Sequence, residues 1–126
     1  MNKEEILNMP AGREMDAMIV ELVMGYTDVR FFREVWTACC DGQRNVINHY
    51  SSDISDAYNV VKEMSAKNFW FYASELSANC EAQFINPRDD NYPYNVFKAS
   101  APPYKLPLAI CRAALLAVVP VDIGGV

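Results

Sequence analysis

The sequence has no cluster of basic residues, and this absence limits the functions open to it. Its 11 lysine and arginine residues are scattered along a chain of 126 residues, and the formal net charge is -5. Proteins that bind nucleic acids nonspecifically use basic patches, because neutralising phosphates supplies most of their affinity. The composition therefore argues against nucleic acid as a partner.

Potential metal ligands are equally scarce. The chain has one histidine, His49, and four cysteines, Cys39, Cys40, Cys80 and Cys111. Zinc sites favour ligands separated by two to four residues, and no pair of cysteines has that spacing. We therefore expect no metal and no cofactor, and we interpret Cys80 and Cys111, which have apolar neighbours, as small buried side chains.

The sequence pattern also predicts neither a signal peptide nor a membrane-spanning segment. The first residues are polar, and no apolar stretch typical of a signal peptide follows them. The longest apolar run, residues 106–121, is interrupted by Pro107, Arg112 and Pro120 and falls short of the roughly 20 residues that span a bilayer. We expect a cytoplasmic protein with reduced cysteines and no membrane partner.

The sequence is rich in hydrophobic residues. Hydrophobic residues make up 52% of the chain, which is enough for a core in one domain covering residues 1–126. Apolar residues at helical spacing predict helices over residues 10–24, 53–66 and 106–118, with a short additional turn over 3–8. Pro10 suits the first helical position, and Ser52 is the expected N-cap of the second helix.

Three strand-like segments lie between the second and third helices. Residues 69–76, 80–84 and 94–99 combine aromatic content with alternation, and they predict an antiparallel meander. Residues 26–50 are ambiguous, because the Asp41-Gly42 turn signal fits either a hairpin or an ordered loop. The pattern predicts an α+β fold: a layered α/β sandwich whose mainly antiparallel sheet, of three or more strands, is packed by about three helices.

The pairing of cysteine with histidine provides one enzyme hypothesis. Cys39 or Cys40 beside His49, with Asp41 as the acid, has the residue types of a thiol nucleophile and its base. No local signature surrounds either cysteine. The alternative is a turn that carries one buried and one exposed thiol, and we therefore assign no catalytic residue.

Two further features are candidates for binding. Arg112 is the single charge on the apolar third helix, and it predicts an ion pair with an acid such as Glu14 or Glu63, or else an anionic ligand. Trp70 and Tyr72 alternate in an aromatic strand, and if exposed they would suit a protein partner. The acidic loop that includes residues 89–91 lacks the ligand spacing of a calcium site and is interpreted as solvated.

Three segments in sequence resemble the phage ABA sandwich domain family. They are MPAGREMDAMIV at residues 9–20, continuing to Tyr26, then YSSDISDAYNVV at residues 50–61 and PLAICRAALLA at residues 107–117. The resemblance covers most of residues 9–118. It implies a layered α/β/α sandwich in a phage or prophage protein of the bacterial cytoplasm, and it implies no reaction. It is weakest over residues 27–49 and 86–105, so Cys39, Cys40 and His49 gain no support from it.

Together these features favour a non-enzymatic phage accessory protein that binds a host or phage protein. The alternative is a small thiol-dependent enzyme or ligand-binding domain that uses Cys39, Cys40 or His49. Self-association is a third alternative that the sequence leaves open.

Overall fold

The computed structural model describes residues 1–87 and 95–120. The described residues form four helices and six strands. In chain order they are α1 (Lys3–Asn8), α2 (Arg13–Leu22), β1 (Thr27–Phe32), β2 (Val35–Cys40), β3 (Gln43–Val46), α3 (Ile54–Ala66), β4 (Trp70–Glu75), β5 (Cys80–Asn86), β6 (Asn95–Ala101) and α4 (Leu106–Val118). The acidic loop predicted around Asp89 and Asp90 lies outside the described residues, as does the chain after Pro120.

The ambiguous segment of the sequence forms a complete sheet. β1, β2 and β3 make an antiparallel meander in that order. The predicted turn at Asp41 and Gly42 joins β2 to β3, and the residues on either side of it, Cys40 and Gln43, are paired. A second two-residue turn, Arg33-Glu34, joins β1 to β2 and has no turn signature in the sequence. The hairpin interpretation is therefore confirmed, with one strand more than expected.

The two turns share a left-handed backbone but differ in residue type. Glu34 has φ 66°, and Gly42, at the equivalent position, has φ 78°. A residue with a Cβ is disfavoured in this region by about 1–2 kcal/mol. We expect Glu34→Gly to raise the free energy of unfolding by about 0.5–1 kcal/mol, since part of the gain is lost to the greater freedom of the unfolded chain. Urea denaturation measures the change.

Gly42→Ala is the matched control for that prediction. A Cβ at Gly42 would meet no atom within 4 Å, so its effect is purely conformational. We expect a loss of about 1 kcal/mol. A Glu34→Gly variant that is less stable than the wild type would show that the Glu34 side chain contributes more than its backbone strain removes.

The predicted meander forms a second sheet, β4-β5-β6, with unbroken antiparallel register. Alternation turns Cys80, Ala82 and Phe84 of β5 into the core, where all three are fully buried. The Phe84 ring lies 5.2 Å from Phe71 and 6.5 Å from Phe69, centroid to centroid. α4 covers this face, and its many alanines allow its backbone to come close to the sheet.

The contacts between elements place α2 and α4 between the two sheets. α4 packs on β5 and β6, α2 contacts α4 on one side and β1 and β2 on the other, and α1 and α3 also contact α4. The layered sandwich is therefore confirmed. The resemblance implied helices on both faces of a sheet, whereas here the second sheet turns the face that carries Trp70 to solvent.

The helix boundaries differ from the sequence prediction at two N-termini and at the end of α2, which stops at Leu22 rather than at residue 24. α2 begins at Arg13 rather than at Pro10, because the Gly12 N–H donates to Ser51 Oγ at 3.0 Å and ties the preceding residues to a distant loop. α3 is capped by Asp53 rather than by Ser52, because Asp53 Oδ1 accepts the Asp56 N–H at 3.1 Å. The bounds of α4 agree with the prediction.

Candidate functional site

The solvent face of the second sheet, here called the outer face, is built from three aligned strands. Strand alternation directs Trp70 and Tyr72 of β4 away from α4. The register aligns them with residues of the other two strands, in rows Trp70–Ile85–Val96, Tyr72–Gln83–Lys98 and Ser74–Glu81–Ser100. An apolar row thus lies beside a row that can form hydrogen bonds.

The aromatic residues of this face are open to solvent. Trp70 is 51% exposed, Tyr72 is 56% exposed and Val96 is 50% exposed. Lys98 and Glu81 lie 3.7 Å apart on the same face and form an ion pair, so their charges offset each other locally. The two residues singled out from the sequence therefore lie on one neutral, partly apolar surface, the composition found at protein interfaces.

The two adjacent cysteines point to opposite faces of the first sheet. They are consecutive residues of β2, and both are half-buried. Cys40 lines a cavity of about 520 Å³ together with Tyr26, Asp41 and Tyr50. Its hydrogen bond with Tyr26 raises the pKa of that tyrosine, and its Sγ lies 3.9 Å from a carboxylate oxygen of Asp41. Polar and apolar residues line this cavity, and none of the described residues that line it is basic.

His49 lies in the connection that leads from β3 into α3. Its Nδ1 is 3.1 Å from Nη1 of Arg13, and a guanidinium can only donate, so Nδ1 accepts in this contact. Its backbone N–H donates to Asp56 Oδ2 at 2.9 Å. The cavity that Cys40 lines does not include His49 among its lining residues. The structure therefore associates this histidine with Arg13 rather than with a thiol.

Arg112 binds the carbonyl oxygens of two backbone segments rather than an acidic side chain. Its Nε and Nη2 donate to the carbonyl oxygen of Met9 at 3.1 and 2.9 Å, and its Nη1 donates to the Ser100 carbonyl at 2.9 Å. Burial lowers the pKa of the guanidinium. The expected ion pair with Glu14 or Glu63 is wrong: Glu63 binds Lys67 at 2.8 Å, and the carbonyls satisfy the arginine.

A second exposed apolar surface was missed from the sequence. Phe31 and Phe32 at the end of β1, and Val35 at the start of β2, are 58%, 66% and 40% exposed. The Arg33 guanidinium lies 5.2 Å from the centre of the Phe32 ring. The signal that could have located this hairpin is the symmetry of two apolar pairs, Phe31-Phe32 and Val35-Trp36, around two charged residues.

Two further features of the described residues concern metal binding and membrane insertion. Among residues 1–87 and 95–120, no group of three or more histidine, cysteine, aspartate or glutamate side chains is arranged to hold a metal ion. Within the same residues, no helix has the length and apolarity needed to cross a membrane.

The family model of the phage ABA sandwich domain matches residues 17–115. The match runs from the middle of α2 to most of α4, and so includes both sheets, the outer face and the Cys40 cavity. Comparison with curated proteins and with solved structures gives no match. Since the family model covers most of the chain and the fold is a layered sandwich, the chain belongs to the phage ABA sandwich domain family.

Proposed function

We propose that this phage protein is a non-catalytic binding module that acts in the cytoplasm of the bacterial host. Its partner is another protein, of host or phage origin, and it binds on the outer face. The observation that carries the proposal is the exposure of Trp70 and Tyr72 in register with apolar and hydrogen-bonding residues of β5 and β6.

The chemistry of the outer face selects the class of partner. Tryptophan and tyrosine are enriched among residues that dominate protein–protein affinity, because a large ring is buried while its polar atom forms a hydrogen bond. The stacking of nucleic-acid bases would also use such rings, but it requires a positive groove. Here Lys98 is offset by Glu81, and the whole chain carries a net charge of -5. A protein with an apolar centre and a polar margin fits this face best.

The test is affinity capture from infected or prophage-induced cells with wild-type protein and a Trp70→Ala/Tyr72→Ala variant. We expect the wild type to retain a specific protein and the variant to bind that protein at least about tenfold more weakly. Val96→Lys, in the same apolar row, provides an independent second variant. Circular dichroism and thermal unfolding verify that both variants fold.

Tyr58→Ala is the matched control for the aromatic substitutions. Tyr58 is 48% exposed, but it lies on α3 and away from the outer face. We expect this variant to capture the same protein as the wild type. Equal capture by the Trp70→Ala/Tyr72→Ala and Tyr58→Ala variants would rule out the outer face as the binding surface.

A further inference from the structure

β4 is an edge strand of the second sheet. The hydrogen bonds of its hairpin with β5 determine which of its backbone N–H and C=O groups point away from β5. The Leu76 N–H donates to the Asn79 carbonyl at 2.7 Å, which makes these residues the hydrogen-bonded pair that closes the two-residue turn to β5. In an antiparallel ladder such pairs alternate with pairs that are not bonded. The backbone groups of Phe71, Ala73 and Glu75 therefore point away from β5, towards the open edge.

The core-facing side of β4 is also incompletely covered. α4 packs across β5 and β6, and α3 makes only limited contact with β4. As a result Phe71 is only half-buried, and Ala73 and Glu75 are exposed although they occupy the face that is buried in β5. In the part of the chain that the structure describes, β5 is the only strand that pairs with β4.

This edge has few of the features that normally prevent pairing with another chain. Exposed edge strands are protected by proline, lysine, bulges or very short length. β4 is six residues long, contains neither proline nor lysine, and keeps unbroken register with β5 from Trp70 to Glu75, and its one charged residue, Glu75, lies at its end. An edge of this kind favours the addition of a further strand.

We propose that the strand added is β4 of a second copy of this chain, paired antiparallel about a twofold axis at Ala73. Ala73 then faces Ala73 of the second copy, and Phe71 faces Glu75, so that all the outward backbone groups form hydrogen bonds. The pairing joins the two sheets into one of six strands.

The side chains of β4 are complementary to themselves in this register. On the outer face, Trp70 faces Leu76 of the second copy, and these two apolar residues are 51% and 55% exposed in the monomer. The small Ala73 at the axis leaves space for close approach of the backbones. The inference is independent of the proposed function, but it places the outer faces of both copies on the same side of the joined sheet.

Size-exclusion chromatography with light scattering on the purified protein tests this pairing. We expect the apparent mass to rise with concentration towards twice the 14.2 kDa of the monomer. Interfaces as small as a single strand pair are weak, and we expect a dissociation constant on the order of micromolar. A mass that stays monomeric at every concentration would overturn the proposal.

Ala73→Lys and Ser74→Lys form a matched pair of variants. Both positions are exposed on the same strand, but only Ala73→Lys places two like charges together at the axis on the core-facing side. We expect Ala73→Lys to weaken the dimer at least about tenfold and Ser74→Lys, whose lysine faces Tyr72 of the second copy rather than a like charge, to weaken it much less, with unchanged circular dichroism. A dimer unaffected by Ala73→Lys would show that the copies meet elsewhere. Because Ala73 lies off the outer face, partner capture by the Ala73→Lys variant distinguishes loss of the dimer from loss of the partner, whereas Trp70→Ala/Tyr72→Ala alters both surfaces.

Discussion

Replacing Asp16 by alanine is expected to lower the free energy of unfolding by about 3–5 kcal/mol, because it removes one member of a buried charged network. Asp16 is 1% exposed. Its Oδ1 accepts the Ser51 hydroxyl at 2.7 Å and the Ser51 N–H at 2.8 Å, and its Oδ2 accepts Arg13 at 2.9 Å. Urea denaturation monitored by tryptophan fluorescence measures the loss.

The size of this effect follows from what the network connects. Arg13 also donates to the carbonyls of Ile47 and Asn48, at 2.7 and 3.0 Å. The network therefore fixes the connection between the first sheet and α3 to the start of α2. Without the carboxylate, the buried N–H and hydroxyl of Ser51 would lose their acceptor, and Arg13 would lose its ion pair.

Two further variants make the interpretation specific. Glu14→Ala removes an exposed carboxylate from the same turn of α2 and should change stability by less than about 0.5 kcal/mol. Asp16→Asn keeps the shape and an acceptor for Ser51, so it should be less destabilising than Asp16→Ala. Equal stability of the Asp16→Ala and Glu14→Ala variants would contradict the role assigned to the network.

Arg112→Met is expected to lower the free energy of unfolding by about 2–3 kcal/mol, since hydrogen bonds from a charged donor are worth more than neutral ones. Methionine retains the apolar stem of the side chain but leaves the Met9 and Ser100 carbonyls without their donor. These carbonyls belong to the end of α1 and to β6. Urea denaturation measures this loss as well.

The control for Arg112 is Lys105→Met. Lys105 precedes α4 and is exposed, and its side chain does not cap the helix. Its replacement should be close to neutral. Arg112→Lys should give an intermediate loss, because one ammonium cannot reproduce the planar fork that binds both carbonyls. If Arg112→Met is as stable as Lys105→Met, the arginine is not the link between these segments.

The elements predicted best are those whose pattern is local. α4 has apolar residues on nearly all sides and Pro107 in its first turn, so its burial and its bounds follow from sequence alone. Alternation in β5 likewise identifies its buried face. Asp16 was not expected to be buried, because its partner Ser51 is 35 residues away and periodicity carries no information about such contacts.

In the candidate sites too, features with a local sequence pattern were predicted, and features that depend on distant contacts were not. Alternation in a strand predicts that Trp70 and Tyr72 share one face, and the structure shows that this face is exposed. Whether Cys40 lies near His49 could not be predicted, because it depends on how the ambiguous segment folds. In the structure the Cys40 thiol lines a cavity, and the His49 ring lies beside Arg13. The partners of Arg112 were missed because every residue has a backbone carbonyl, so the sequence does not indicate which carbonyls lie near the guanidinium.

Binding through the outer face is the central claim, and native mass spectrometry tests it most directly. The tagged protein and its Trp70→Ala/Tyr72→Ala variant are purified gently, side by side, from infected or prophage-induced cells. We predict that the wild type carries a second protein that the variant lacks. A wild type found only as a monomer or homo-oligomer with a bound small molecule, or a variant that keeps the same complex, would contradict the claim.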